Sequence, residues 1–303
     1  MSKLHLVSFL VAGFLSSCVH SGPIYFATKT PAYYPLKDIF IPPSKDSSTV
    51  QIQEFELDGA TDRLIVVGDL HGSLEYFNDL LKKIDFDPKI DRVVLAGDIT
   101  FKGPDSLGVL RRAKEIGAKC VRGNHDHALL QWKNFLRKLS PTDNHAEYEF
   151  PADLTLTQYY SIAAEMDQEL YDYLLSCSII LSVPKYSVYV MHAGVDPSKP
   201  LESQDPNVVM NIKNILADGT PTRGKFVGEN WSVAWNAKQS KSKNPVTIVY
   251  GHQASLGLNI KPYSKGLDTG CVYGGQLTAM VFPGEKIVSV NCNRTQAVLE
   301  YND

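Results

Sequence analysis

Aspartate, histidine and asparagine recur in five short sequences: Gly68-Asp69-Leu70-His71-Gly72, Gly97-Asp98-Ile99-Thr100-Phe101-Lys102-Gly103, Gly123-Asn124-His125-Asp126, His192-Ala193-Gly194 and Gly251-His252. Carboxylates, imidazoles and an amide oxygen together suit first-row divalent cations such as zinc, manganese or iron, and the lack of thiolates in the set argues against a closed structural zinc cage. Neighbouring glycines let backbone approach an ion or a phosphate oxygen with no Cβ in the way. Two cations about 3.5–4 Å apart polarise a bridging water to hydroxide and neutralise charge on a phosphoryl group. An acid at the leaving oxygen completes a hydrolysis of that kind. No serine or cysteine nucleophile is then needed, and the chain has no Gly-x-Ser-x-Gly sequence. Singly, Asp98 or Asn124 would serve an Asx turn and His192 or His252 a core histidine; their ordered recurrence after apolar runs points to one metal site.

Those runs must be the elements that bring the motifs together. Residues 63–67, Arg-Leu-Ile-Val-Val, form an apolar run halted by Gly68, as in a strand buried on both faces. Phe77, Leu80, Leu81 and Ile84 then recur at helical spacing. The alternation continues with strands at 92–96 and 119–122 and helices at 106–116 and 128–139, which means parallel strand-helix-strand units. Beyond a polar stretch, the pattern predicts one helix over 157–175, strands at 178–183 and 187–191, and a loop-rich segment over 197–244 with a short helix near 208–216. Further strands are expected at 246–250, 277–282, 286–290 and 296–300. The expected α/β fold is a pair of mixed sheets covered by helices, in one domain over 62–303. Ligands in such folds gather at the carboxyl ends of strands, where all five motifs stand.

Composition bounds the partners. Thirty Lys+Arg against 33 Asp+Glu leave a net charge of −3, so no global positive field recruits duplex nucleic acid, and an anionic substrate needs a local site. Five cysteines without a Cys-x-x-Cys pair are neither a disulfide scaffold nor a zinc ribbon, and nothing in the sequence supports a particular disulfide. Residues 1–20 read as a signal peptide or short anchor, since the apolar run of about 12 residues falls short of the ~20 that span a bilayer. Weak membrane association through this leader is the one membrane contact expected. Residues 21–61, with five prolines and little periodicity, read as an extended tether.

The five motifs resemble those of the calcineurin-like metallophosphoesterases, in the branch that holds the phosphoprotein phosphatases and the bacterial dinucleoside tetraphosphatase. The resemblance runs over roughly residues 63–280. It implies an αββα fold with two divalent ions per subunit, zinc first, with manganese, cobalt or iron as alternatives. By resemblance, Asp69, His71 and Asp98 hold the first ion, and Asp98, Asn124, His192 and His252 the second, with Asp98 as the bridge. His125 matches the general acid, and Asp126 stands where a carboxylate supports it.

The second motif separates the branches. Protein phosphatases carry Gly-Asp-x-Val-Asp-Arg-Gly, where this chain has Phe101 and Lys102 at the Asp and Arg positions. With Val121-Arg122-Gly123-Asn124-His125-Asp126, Val249-Tyr250-Gly251-His252 and the segment from Leu267 to Gly275, the chain looks like the ApaH-like group, whose members cleave phosphoanhydrides. Lys102, Arg122 and Arg223 are the expected phosphate contacts, with Arg122 also expected to brace the loop that carries Asn124 and His125. A cation at Lys102 is a compact point charge rather than a bidentate fork. Trp231 and Trp235, four residues apart, read as packing. Combined with the leader, the resemblance leads to an endopolyphosphatase acting on inorganic polyphosphate in the secretory pathway, most simply a fungal-type vacuole lumen. The alternative is a dinucleoside polyphosphate hydrolase or a serine/threonine phosphoprotein phosphatase.

Overall fold

Alternation along the strands decides the layers. In β2 (Arg63–Val67), Leu64 and Val66 enter one apolar layer while Ile65 and Val67 enter another, so all four are buried. The computed structural model describes residues 50, 52–57, 59, 62–138 and 158–293. The leader, most of the 21–61 stretch and the strand expected at 296–300 lie outside the described residues.

One sheet runs β14 (Lys286–Asn291), β13 (Gln276–Phe282), β2, β3 (Asp91–Leu95), β4 (Lys119–Cys120). Within it β2, β3 and β4 are parallel and β13 is antiparallel to both β2 and β14. The second sheet runs β1 (Ile52–Glu54), β5 (Ile180–Val183), β6 (Val188–Met191), β10 (Thr247–Tyr250), β12 (Ser264–Gly266), β11 (Asn259–Lys261). Leu64, Val66, Val94, Leu181, Val190, Val249 and Met280 fill the space between the sheets. Each such side chain contributes about 1.5–3 kcal/mol on burial.

Helices cover the outer faces, as the αββα expectation requires. Against the first sheet lie α1 (Leu74–Lys83), α2 (Ser106–Glu115), α3 (Asn124–Lys138), α4 (Gln158–Glu165) and α5 (Gln168–Ser176), through Phe77, Leu80, Val109, Leu110, Leu129 and Leu174 among others. Against the second lie α6 (Pro206–Asn211) and α7 (Trp231–Gln239), with Trp231 and Trp235 packed on Ile248 and Tyr250. Both tryptophans are core, as their spacing predicts. Among the described residues, no helix is long and apolar enough to cross a membrane.

Several boundaries differ from expectation. The stretch read as a tether to residue 61 joins the fold earlier: Ile52–Glu54 pairs in parallel with Ile180–Ser182, and Val50 is buried. Three paired residues are too few to carry a period. The helix expected over 157–175 is two, because the Asp167 side chain accepts the Leu170 N–H at 2.8 Å and caps a new start. Helix α3 begins at Asn124 rather than 128, which puts the third motif on its first turn. The 197–244 segment holds α7, capped by Asn230, and a small sheet of β8 (Pro221–Thr222), β7 (Asn214–Ile215) and β9 (Glu229–Asn230). Its two-residue strands leave no periodic signal.

The cysteines are also more committed than their spacing suggests. Cys120 is bonded to Cys177 and Cys271 to Cys292. The first bridge ties the end of β4 to the end of α5 across 57 residues. Replacing Cys120 and Cys177 together by serine is expected to lower the unfolding free energy by about 2–4 kcal/mol through the freed loop in the unfolded chain. Urea unfolding of the variant beside the wild type checks this, and an unchanged midpoint would show that the bridge contributes nothing.

Candidate active site

Asp69 and His71 follow β2, Asp98 follows β3, Asn124 and His125 follow β4, His192 follows β6, and His252 follows β10. Asp98 is where they converge. Its Oδ2 lies 3.3 Å from His192 Nε2, 3.6 Å from His71 Nε2 and 4.0 Å from His125 Nε2. Asp69 Oδ2 is 3.9 Å from His71 Nε2, and Asn124 Oδ1 is 3.1 Å from His192 Nε2. The six residues expected to bind metal are thus drawn together from both sheets, with His252 joined to Asp69 through a backbone N–H donated at 3.0 Å to Oδ1.

Holding them there requires unusual backbone. His71, Asp98 and His252 have φ of +43°, +45° and +69°, in the left-handed region that non-glycine residues seldom occupy. Strain of this kind persists only where surrounding structure enforces it. Two glycines make the approach possible: a Cβ on Gly123 would stand 2.1 Å from Asp98 Oδ1, and one on Gly251 would stand 1.9 Å from Asp69 Oδ1.

The donor set fits cations. His71 Nδ1 meets the Thr100 carbonyl at 3.2 Å and His192 Nδ1 the Ala96 carbonyl at 2.9 Å. A carbonyl only accepts, so each Nδ1 carries a proton and Nε2 is the ring atom left facing Asp98, where a cation would take the place of any proton it holds. His252 Nε2 is buried without a hydrogen-bond partner among the described residues. The electrostatics agree. Burial opposes charge on His192, but Asp98 and Asp69 outweigh it and raise its pKa to about 10, so the centre draws in positive charge. Burial raises Asp69, helped by Asp268 and Asp98, and pushes His71 down to about 3. Divalent ions placed here would neutralise the carboxylates and use the Nε2 atoms of the imidazoles. The side chains form two sets sharing Asp98, one with His71 and His125 and one with His192 and His252.

The centre opens into a cavity of about 730 Å³. Lys102 lines it, its Nζ 2.8 Å from the Tyr273 hydroxyl. Two further expected phosphate contacts do not reach it. Arg122 turns away from the cavity and donates to the carbonyls of Leu175 at 2.7 Å and Cys177 at 3.4 Å, so it braces the β4–α3 loop. Arg223 is exposed outside the cavity lining. Lys213 and Lys225, from the small sheet and its loops, line the cavity instead. Asp268 and Tyr273 in its wall belong to the Leu267–Gly275 segment, whose composition assigned them no role.

Asp126 also differs from its expected place. Its buried carboxylate accepts N–H groups from Ile99, Thr100 and Gly123, each at 3.1 Å, and the Thr100 hydroxyl at 2.9 Å. It clamps the second motif to the third rather than supporting the His125 ring. His125 itself donates its backbone N–H to Asp98 Oδ1 at 3.0 Å and keeps its imidazole partly exposed.

Known proteins share this chain's pattern. The family model for calcineurin-like phosphoesterases matches residues 62–288. The symmetrical bis(5'-nucleosyl)-tetraphosphatase of Janthinobacterium sp. (strain Marseille) is 29% identical over 279 residues, covering 76% of this chain and 96% of its own. That of Haemophilus ducreyi is 28% identical over 272 residues, covering 73% and 96%. The crystal structure of a candidate diadenosine tetraphosphatase superposes with a TM-score of 0.65 at 34% identity, over 80% of this chain and 99% of that one. A protein serine/threonine phosphatase from Saccharomyces cerevisiae, at 13% identity and a TM-score of 0.51 over 82% and 85%, shares the fold alone.

Proposed function

The chain belongs to the calcineurin-like phosphoesterase family, which makes it a metal-dependent phosphohydrolase, and from that premise we propose that it cleaves dinucleoside polyphosphates symmetrically, at a central phosphoanhydride. The observation that carries this reading is one cavity joining the carboxylate–imidazole centre to Lys102, Lys213 and Lys225, enough positive charge to accompany a chain of several phosphates. The tetraphosphatase relatives support it, and it takes the place of inorganic polyphosphate as the leading substrate. A protein-phosphatase reading has only a shared fold behind it.

In this proposal Asp69, His71 and Asp98 hold one divalent ion, and Asp98, Asn124, His192 and His252 the other. Bound there, the ions activate water and screen the phosphoryl oxygens. Thr100 and Ala96 keep the imidazoles of His71 and His192 aimed at the centre through their Nδ1 atoms. The three lysines neutralise the outer phosphates, and His125 gives a proton to the departing phosphate oxygen. Two disulfides add weight to the leader's indication of an oxidising compartment, and we assign the protein to the secretory pathway on those grounds.

The test is chromatography of diadenosine tetraphosphate incubated with purified protein and a divalent metal. ADP as the sole product is expected, with turnover lost in chelator and restored by added metal. ATP with AMP would overturn the symmetrical cut. Intact dinucleotide beside a shortened long-chain polyphosphate would return the reading to polyphosphate.

A further inference from the structure

The imidazole of His125 sits in an aromatic cluster. Phe101, 6% exposed, stacks on it with ring centroids 4.9 Å apart and 20° between the planes. Tyr159, from the first turn of α4, lies flat on Phe101 at 3.8 Å and 1°. Its hydroxyl meets His125 Nδ1.

Two further contacts dock this turn of α4 on the second motif. Gln158 Oε1 accepts the Lys102 N–H at 2.6 Å, and its Nε2 donates to the Gly103 carbonyl at 2.9 Å. Phe101 and Lys102 hold φ of +73° and +67°, and Ser106 Oγ accepts the Phe101 N–H at 2.9 Å. Strained backbone secured on both sides is built for a purpose, and here it delivers one aromatic ring against His125 and a hydroxyl to its Nδ1.

We infer that Tyr159 is the positioning residue of the proton donor, a role that rests on the reading of His125 as that donor. With Nδ1 engaged by the hydroxyl and the ring plane set by Phe101, Nε2 faces the centre, 4.0 Å from Asp98 Oδ2. In the hydrolytic step, water oxygen forms a bond to phosphorus and sheds one proton to solvent, while the bond to the leaving phosphate oxygen breaks and its electron pair stays on that oxygen. The Nε2 proton passes to it. Tyr159 keeps its own proton throughout: its oxygen accepts from Nδ1–H while the ring is charged and still does so once Nε2 has lost its proton, because the neutral ring then keeps its remaining proton on Nδ1. Tyr159 therefore suits both states of the ring without adding a negative charge beside the phosphates.

Tyr159→Phe keeps the ring and its stack and removes only the hydroxyl. Two phosphate esters then separate positioning from packing. Phenyl phosphate needs its leaving oxygen protonated, whereas p-nitrophenyl phosphate releases a stabilised anion. General acids contribute 10²–10⁴-fold, so a misdirected ring is expected to cost about tenfold in kcat on phenyl phosphate and under about twofold on p-nitrophenyl phosphate, with KM and metal content unchanged. Equal losses on both esters, or none, would overturn the inference. ¹⁵N spectra of histidine rings in the zinc-loaded resting protein provide an arm independent of turnover. The His125 Nδ1 resonance should move in the variant while those of His71 and His192 stay. A stationary His125 resonance overturns the contact. A wild type that hydrolyses neither ester nor diadenosine tetraphosphate would instead sink the functional reading, leaving the spectra to decide on Tyr159.

Discussion

Asp98→Asn is expected to cut kcat by about 10³-fold or more, since it removes a charge that, in the proposed function, both ions would share. Asp98 stands within 4.0 Å of three imidazole Nε2 atoms and anchors the start of α3 through the His125 N–H. Burial opposes its ionisation, yet His192, His125 and the other imidazoles hold its pKa well below the usual carboxylate range, so it is a permanent anion at the centre. A carboxamide is isosteric but neutral, and one of its two ends is a donor. Turned toward the centre, that NH₂ meets positions meant for cations; turned away, it faces the His125 N–H. Metal content measured beside kcat decides the matter: both should fall together. Near-normal turnover with a full complement of metal would remove Asp98 from the bridging position.

Asp126→Ala is expected to act on stability first. The carboxylate is fully buried, and burial raises its pKa against the pull of the surrounding N–H donors. Truncation strands the amides of Ile99, Thr100 and Gly123 and the Thr100 hydroxyl with no acceptor and no access to water. Each unsatisfied buried donor costs about 1–3 kcal/mol, and because they relax together the expected loss is about 3–5 kcal/mol of unfolding free energy. Metal affinity should weaken as well, because the same two loops carry Asp98 and Asn124. Denaturant unfolding and metal titration read both effects. A variant of normal stability and metal content but low kcat would mean that Asp126 serves His125 directly, as the sequence suggested.

These two aspartates show what a sequence reveals. Asp98 was legible because its information is local: a strand buried on both faces, a glycine, then a carboxylate at the strand's carboxyl end. His71, Asn124 and His252 likewise follow a glycine beyond a strand, His192 follows its strand directly, and the two-sheet architecture followed from the same apolar runs. Asp126 has the right residue type beside the right histidine, but the direction of its side chain depends on where the loop after β3 lies.

By itself, then, the sequence determined the longer strands and the fold class and singled out the six proposed ligands, since periodicity and residue chemistry are properties of short segments. Tertiary structure alone decided which groups meet. It paired Cys120 with Cys177, turned Arg122 to the Leu175 carbonyl, left Arg223 outside the cavity while bringing Lys213 and Lys225 into it, and set Tyr159 on His125. Those partners lie on separate elements, and their contacts arise only when sheets and helices pack their apolar faces together, a constraint on the whole chain that no local stretch contains.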